Sequence, residues 1–307
     1  MFILVFACGL ARAFRQSRLS ERPQMQIIHQ IAPLREQVGD WRRAGLRVGL
    51  VPTMGNLHAG HLALVRDALT RADRVVTSIF VNPLQFGPGE DLDAYPRTPG
   101  RDVELLAEVG SHCVFAPTEQ EVYPMGRNGQ SYVEVPHLSD LFCGASRPGH
   151  FRGVATVVAK LFNMVAPDLA LFGEKDYQQL MIIRRMTADL NLPVDIVGHP
   201  TIREPDGLAM SSRNGYLTPV ERDKAPLLRA HLQRLTDALR AGQPISDAEW
   251  DTARSLAAAG FRPDYVSVCR RADLDHPGRG DSALVVLAAA YLGKARLIDN
   301  LEFDLSN

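Results

Sequence analysis

The sequence predicts an α/β protein: a doubly wound parallel sheet followed by a smaller C-terminal α+β domain. Three observations carry this expectation. Apolar runs of buried-strand type (residues 48–51, 75–81 and 169–172) alternate with amphipathic stretches of helical length across short links, the grammar of βαβ units. Two of these runs break into glycine-containing turns that open helices, at residues 52–61 and 173–179. From Thr218 onward the pattern changes to capped helices and then short strands.

The size fits two domains. A chain of 307 residues with 46% hydrophobic content can bury a substantial core and exceeds a usual single domain. The boundaries are expected at 25–200 for the parallel-sheet domain and 201–307 for the smaller one. Residues 1–24 are read as an upstream extension. Their first thirteen have an apolar core and an Ala-x-Ala ending but no basic segment before it, and 14–24 are polar and of disordered type. Met25 is therefore expected to be the functional start, which the N-terminal sequence of the natively expressed protein tests.

Charge and cysteine content narrow the function. The formal net charge is −1 with no dense Lys/Arg block, which argues against an extended nucleic-acid surface. Four cysteines lack any Cys-x-x-Cys pair, so reduced buried thiols are expected rather than a zinc knuckle or disulfide framework. No apolar run is long enough to span a membrane, and a cytoplasmic location is expected.

In order, the chain predicts a strand at 27–28, a helix at 31–44, a strand at 47–51 and a helix at 60–71. The junction LVPTMGNLHAGH (50–61) ends a buried strand and begins a helix, so its backbone N–H groups and the helix dipole form an anion site. His58 and His61 share one side of the first turn, Gly60 lets backbone approach a ligand, and either imidazole can carry charge near neutral pH. Taken alone, a His-x-x-His pair at a helix start is more often incidental; its place after a strand raises the odds. The strand at 75–81 leads to Asn82 and Gln85, whose amides can face a ligand, and a long loop (87–100) is expected to line the site.

A helix at 101–109, a strand at 113–116 and a possible strand at 132–135 follow. The glycine-rich loop 143–153 carries Arg147, His150 and Arg152 and reads either as a solvated turn or as a mobile phosphate-side loop. A helix at 153–165 and a strand at 169–172 lead to Gly173-Glu174-Lys175-Asp176, opening a helix to about residue 190. There Lys175 can neutralise phosphate, Asp176 can accept ribose hydroxyls and Gln179 shares their face; a capping Asp beside an exposed Lys is the plainer reading. The sheet ends with a strand at 194–198. Met210-Ser211-Ser212-Arg213 suits a phosphate grip. Helices, the first interrupted at Pro226, and strands at 264–269, 284–290 and 295–299 close the chain.

PTMGNLHAGH, SIFVNPLQF, DAYPRTPG, RPGHFRGV, FGEKDYQQL and REPDGLAMSSRN, in this order, resemble the pantothenate synthetase family, pantoate–β-alanine ligases of the HxGH nucleotidyltransferase superfamily. The resemblance implies a Rossmann-like sheet, a homodimer, ATP and Mg²⁺, and condensation of pantoate with β-alanine through a pantoyl adenylate. It further implies ATP contacts at Met54, Gly55, Asn56, Leu57, His58, Ala59, Gly60, His61, Gly173, Glu174, Lys175, Asp176, Ile202, Met210, Ser211, Ser212 and Arg213. Gln85 and Gln179 would bind pantoate, Gln85 also β-alanine, while His61, His58 and Lys175 would serve catalysis. Metal ligands are left open; Asp102 is the one suitable carboxylate in the helix after PRTP. Such chemistry needs no covalent enzyme nucleophile, and the motifs contain none. The alternatives are another HxGH nucleotidyltransferase of a small metabolite and a non-catalytic nucleotide-binding module, which ATP turnover separates.

Overall fold

The computed structural model describes residues 25–305; the expected extension 1–24 lies outside the described residues. Six strands form one fully parallel sheet in the order β1-β4-β3-β2-β5-β6: β1 Gln26–Ile28, β2 Val48–Thr53, β3 Arg74–Ile79, β4 Cys113–Phe115, β5 Leu169–Gly173 and β6 Asp195–His199. Helices α1 (Ile31–Arg43), α2 (Ala59–Arg71), α3 (Pro99–Val109), α4 (Glu119–Val122), α5 (Cys143–Ser146), α6 (His150–Val165) and α7 (Tyr177–Asp189) fill the connections. Parallel strands covered on both faces must be apolar throughout, and Val48, Leu50 and Val51 of β2 are all fully buried. Truncating Leu50 to Ala would cost about 2–5 kcal/mol.

The chain reverses its direction of strand addition between β2 and β5. In open α/β sheets such a switch point leaves a crevice at the carboxyl ends of the two strands. Both glycine-containing junctions read from the sequence lie there, one after β2 and one after β5.

Beyond β6, helices α8 (Pro219–Lys224), α9 (Leu227–Arg240) and α10 (Ile245–Ala258) pack on an antiparallel sheet of β7 (Arg262–Arg270), β8 (Ala283–Leu292) and β9 (Ala295–Asp304). Pro226 interrupts the helical run as expected, standing at the N-cap of α9. Thr218 and Glu221 form the capping box that starts α8. Among the described residues no helix is long and apolar enough to cross a membrane.

Two local expectations fail. Residues 132–135 form no strand, because the backbone N–H and carbonyl of Val133 bond the Thr156 hydroxyl on α6 instead of a neighbouring strand. The glycine-rich loop is partly helical, with α5 inside it and α6 starting at His150.

Candidate active site

The turn after β2 is built from within. Gly55 and Asn56 both take positive φ (79° and 50°), reversing the chain between Thr53 and His58. His58 is the N-cap of α2: its Nδ1 accepts the Gly60 N–H at 3.1 Å, and Nδ1 of His61 faces the His58 N–H at 3.4 Å. With Nδ1 used as acceptor, each neutral ring carries its proton on Nε2, and both rings border the cavity described below. The ring centroids are 4.0 Å apart. A Cβ on residue 60 would lie 2.9 Å from the His58 ring, so Gly60 makes room for that histidine.

The charge expected on these histidines is not there. Burial, with a contribution from Lys175, lowers His58 to about 4; burial, then His58 and Lys175, lowers His61 to about 3. Both are neutral donors at pH 7.

The second junction supplies the cation. Lys175 follows β5 with its side chain only 17% exposed, 3.7 Å from Asp176. Asp176 stands before α7 without a side-chain cap bond, so neither half of the plainer capping reading holds. Asn300 on β9 donates to the carbonyls of Glu174 and Lys175 at 2.8 and 2.9 Å, and Arg203 pairs with Asp299 through both nitrogens at 2.7 and 2.8 Å. The small domain thus fixes the Lys175 backbone. Sequence reading gave no signal for Asn300, which lies 125 residues away.

After β3, Gln85 donates from Nε2 to Met54 Sδ at 2.9 Å, and its carbonyl accepts His150 Nδ1 at 2.7 Å. Asn82 borders the same cavity as Gln85, and it is 1% exposed and bonded to Gln85, the Gly153 carbonyl and the Tyr123 hydroxyl. Gly153 is required here, since a Cβ would sit 2.2 Å from the Leu84 carbonyl oxygen. Arg147 is paired with Glu90 at 2.6 Å and Arg213 with Asp91 at 3.2 Å, so the long loop binds both arginines. Arg152 stacks on Tyr132 outside the site. Ser212 donates to the Asn56 carbonyl at 3.3 Å, joining the Met210–Arg213 stretch to the first turn.

These pieces enclose a cavity of about 250 Å³ whose walls include Met54, His58, Gly60, His61, Gln85, Gly173, Lys175, Asp176, Gln179, Ile202, Met210, Ser211, Ser212 and Arg213. It shares Arg147, His150, Lys175, Asp176, Gln179, Ser211 and Arg213 with an adjoining space of about 550 Å³ beside the small domain. Gly55, Asn56, Leu57, Ala59 and Glu174 are not in the cavity wall, and Leu57 is core. Asp102 lies behind the turn, 1% exposed, with both carboxylate oxygens taken by protein donors. The arrangement offers neutral N–H donors, a lysine and an arginine toward a polyphosphate, and two amides toward a small acid.

Comparison with known proteins gives the same family. The profile described as pantoate-beta-alanine ligase matches residues 26–302. A pantothenate synthetase of Thioalkalivibrio sulfidiphilus is 62% identical over 282 residues, covering 92% of this chain and 99% of the relative. The crystal structure of the Thermus thermophilus pantothenate synthetase is similar at TM-score 0.82 and 47% identity, covering 91% and 99% of the two chains. The pantoate-beta-alanine ligase of Francisella tularensis, solved with β,γ-ATP and β-alanine, is similar at TM-score 0.73 and 33% identity, covering 91% and 97%. On this match of motifs, fold and sequence, the chain belongs to the pantoate-beta-alanine ligase family.

Proposed function

We propose that the protein condenses (R)-pantoate with β-alanine at the expense of ATP, in two half-reactions within the cavity at the switch point. The observation that carries this reading is the convergence of four strand ends on one cavity: His58 and His61 after β2, Gln85 after β3, Lys175 and Gln179 after β5, and Ile202 after β6. Family membership supplies the substrates.

A carboxylate is a poor acyl donor at neutral pH, so a pantoate oxygen first attacks the α-phosphorus of ATP, and pyrophosphate leaves. The β-alanine amine then attacks the acyl carbon and AMP leaves. Negative charge grows on phosphate oxygens in the first step, and donors already aimed there lower its barrier without reorganising. His61 and His58 give neutral N–H donors, Lys175 gives a buried cation, and Arg213 closes on the leaving pyrophosphate. Gln85 and Gln179 orient pantoate, with Gln85 also reaching β-alanine. Asp176 meets the ribose and Ile202 the adenine.

Mg²⁺ would enter with the triphosphate and would offset its charge beside Lys175. Among the described residues no cluster of three or more His, Cys, Asp or Glu is placed to cage a metal. The protein works as a cytoplasmic homodimer, the assembly implied by the family resemblance, and light scattering that finds only monomer would refute that part. The reaction itself is tested by assaying pyrophosphate with ATP, Mg²⁺ and pantoate, then AMP after β-alanine is added. Pyrophosphate that needs pantoate, and AMP that needs β-alanine, is the expected result. ATP binding without pantoate-dependent pyrophosphate would defeat the substrate assignment.

A further inference from the structure

We infer that Asp102 is a positioning residue that holds the turn bearing the two histidines and ties it to the second phosphate loop, rather than a ligand to magnesium. The inference rests on the reading of the cavity as an ATP site. Asp102 lies in the first turn of α3, which connects β3 to β4 and belongs to neither phosphate-binding junction. Its Oδ2 accepts the Asn56 N–H at 2.9 Å; its Oδ1 accepts the Leu57 N–H at 2.8 Å and the Thr98 hydroxyl at 3.0 Å. These are the two backbone N–H groups between Gly55, the first positive-φ residue of the turn, and the N-cap His58.

A buried N–H without an acceptor is costly, and a carboxylate acceptor gives the stronger kind of bond. The Asn56 peptides pass the constraint on. The N–H of Asn56 is held by Asp102, while its carbonyl accepts the Ser212 hydroxyl at 3.3 Å. One buried side chain therefore sets the path of the histidine turn and, through Asn56, its distance from Ser212 and Arg213.

A magnesium role does not fit the surroundings. Mg²⁺ demands octahedral oxygens and retains several waters. Asp102 is 1% exposed, and a single Cβ on Gly55 would already stand 3.0 Å from Oδ2. There is no space at the carboxylate for a hydrated cation. The donors that fill it are two N–H groups of the turn and the Thr98 hydroxyl.

The test is Asp102→Asn, which keeps one carbonyl acceptor but loses the second, compared with wild type for ATP Kd by calorimetry and for pantoate-dependent pyrophosphate release. The expected result is a rise of about tenfold in Kd and KM for ATP and a fall of about tenfold in kcat, with KM for pantoate within twofold and the Mg²⁺ half-saturation unchanged. Wild-type-like ATP binding and turnover would overturn the proposal. So would a loss that raised Mg²⁺ restores. Should Asp102→Asn fail to fold, Thr98→Val removes one bond to the same carboxylate, and a severalfold rise in ATP KM at constant pantoate KM is expected; no change refutes the role. Absence of pantoate-dependent pyrophosphate in wild type would strike the substrate assignment instead, leaving the calorimetric comparison to judge Asp102.

Discussion

The turn after β2 and the loop at residues 87–97 both border the cavity, and they are held by opposite means. In the turn every constraint points inward: Asp102 takes two backbone N–H groups, and each histidine spends Nδ1 on the chain while keeping Nε2 free to donate. Nothing there has to break for a phosphate to arrive. In the loop, Glu90 and Asp91 sit on Arg147 and Arg213, and Tyr216 also donates to Asp91 at 3.2 Å. A phosphate that reaches Arg213 must replace a carboxylate. One wall is preorganised and the other exchanges partners, which is how a site can aim donors at a reacting phosphorus and still admit and release a triphosphate.

Breaking the preorganised wall is predicted to cost most. His61→Ala should lower kcat for pyrophosphate release by on the order of 10²-fold or more, the scale of losing one transition-state donor. A rate near wild type would remove His61 from the chemistry. Lys175→Ala follows, with a fall of roughly 10-fold to 10²-fold in the same step, since its charge is largely shielded from water; unimpaired adenylation would contradict the role given to it.

The exchanging wall should respond more mildly and in the other direction. Asp91→Asn weakens the hold on Arg213, and KM for ATP is predicted to fall about twofold to fivefold with kcat within twofold, as expected when a part-exposed ion pair competes with a ligand. A raised KM would mean that Asp91 organises the arginine for binding.

Proton linkage tests the same histidines through stability rather than turnover. The folded state holds His58 and His112 near 4 and His61 and His150 near 3, all below the unfolded value of 6.5, with burial the leading cause in each. Between those values and pH 6.5 the unfolded chain binds more protons, so stability falls as pH drops below about 6.5. The melting temperature should therefore be lower at pH 5 than at pH 7, with proton uptake on unfolding. A flat profile over that window would show that these rings are not held neutral.

A buried strand, a glycine turn and a helix are local patterns, so both junctions and their likeness to a known family were legible from residues 50–61 and 173–179. The supports were not. Asp102 reaches Asn56 across 46 positions, and Asn300 reaches Lys175 across 125; no periodicity encodes contacts at that range. Local chemistry misled where folding spent a polar group on the protein itself, as with Arg152 stacked on Tyr132. The histidines looked ready to carry charge because burial cannot be read from their spacing.

The most direct test of the two-step account follows an atom. When a pantoate carboxylate oxygen attacks the α-phosphorus, that oxygen stays with phosphorus after the amine displaces AMP. Turnover of pantoate labelled with ¹⁸O in its carboxylate should give AMP carrying one label atom per molecule, read by mass spectrometry. Unlabelled AMP alongside formed product would contradict the acyl adenylate, and with it the role assigned to this cavity.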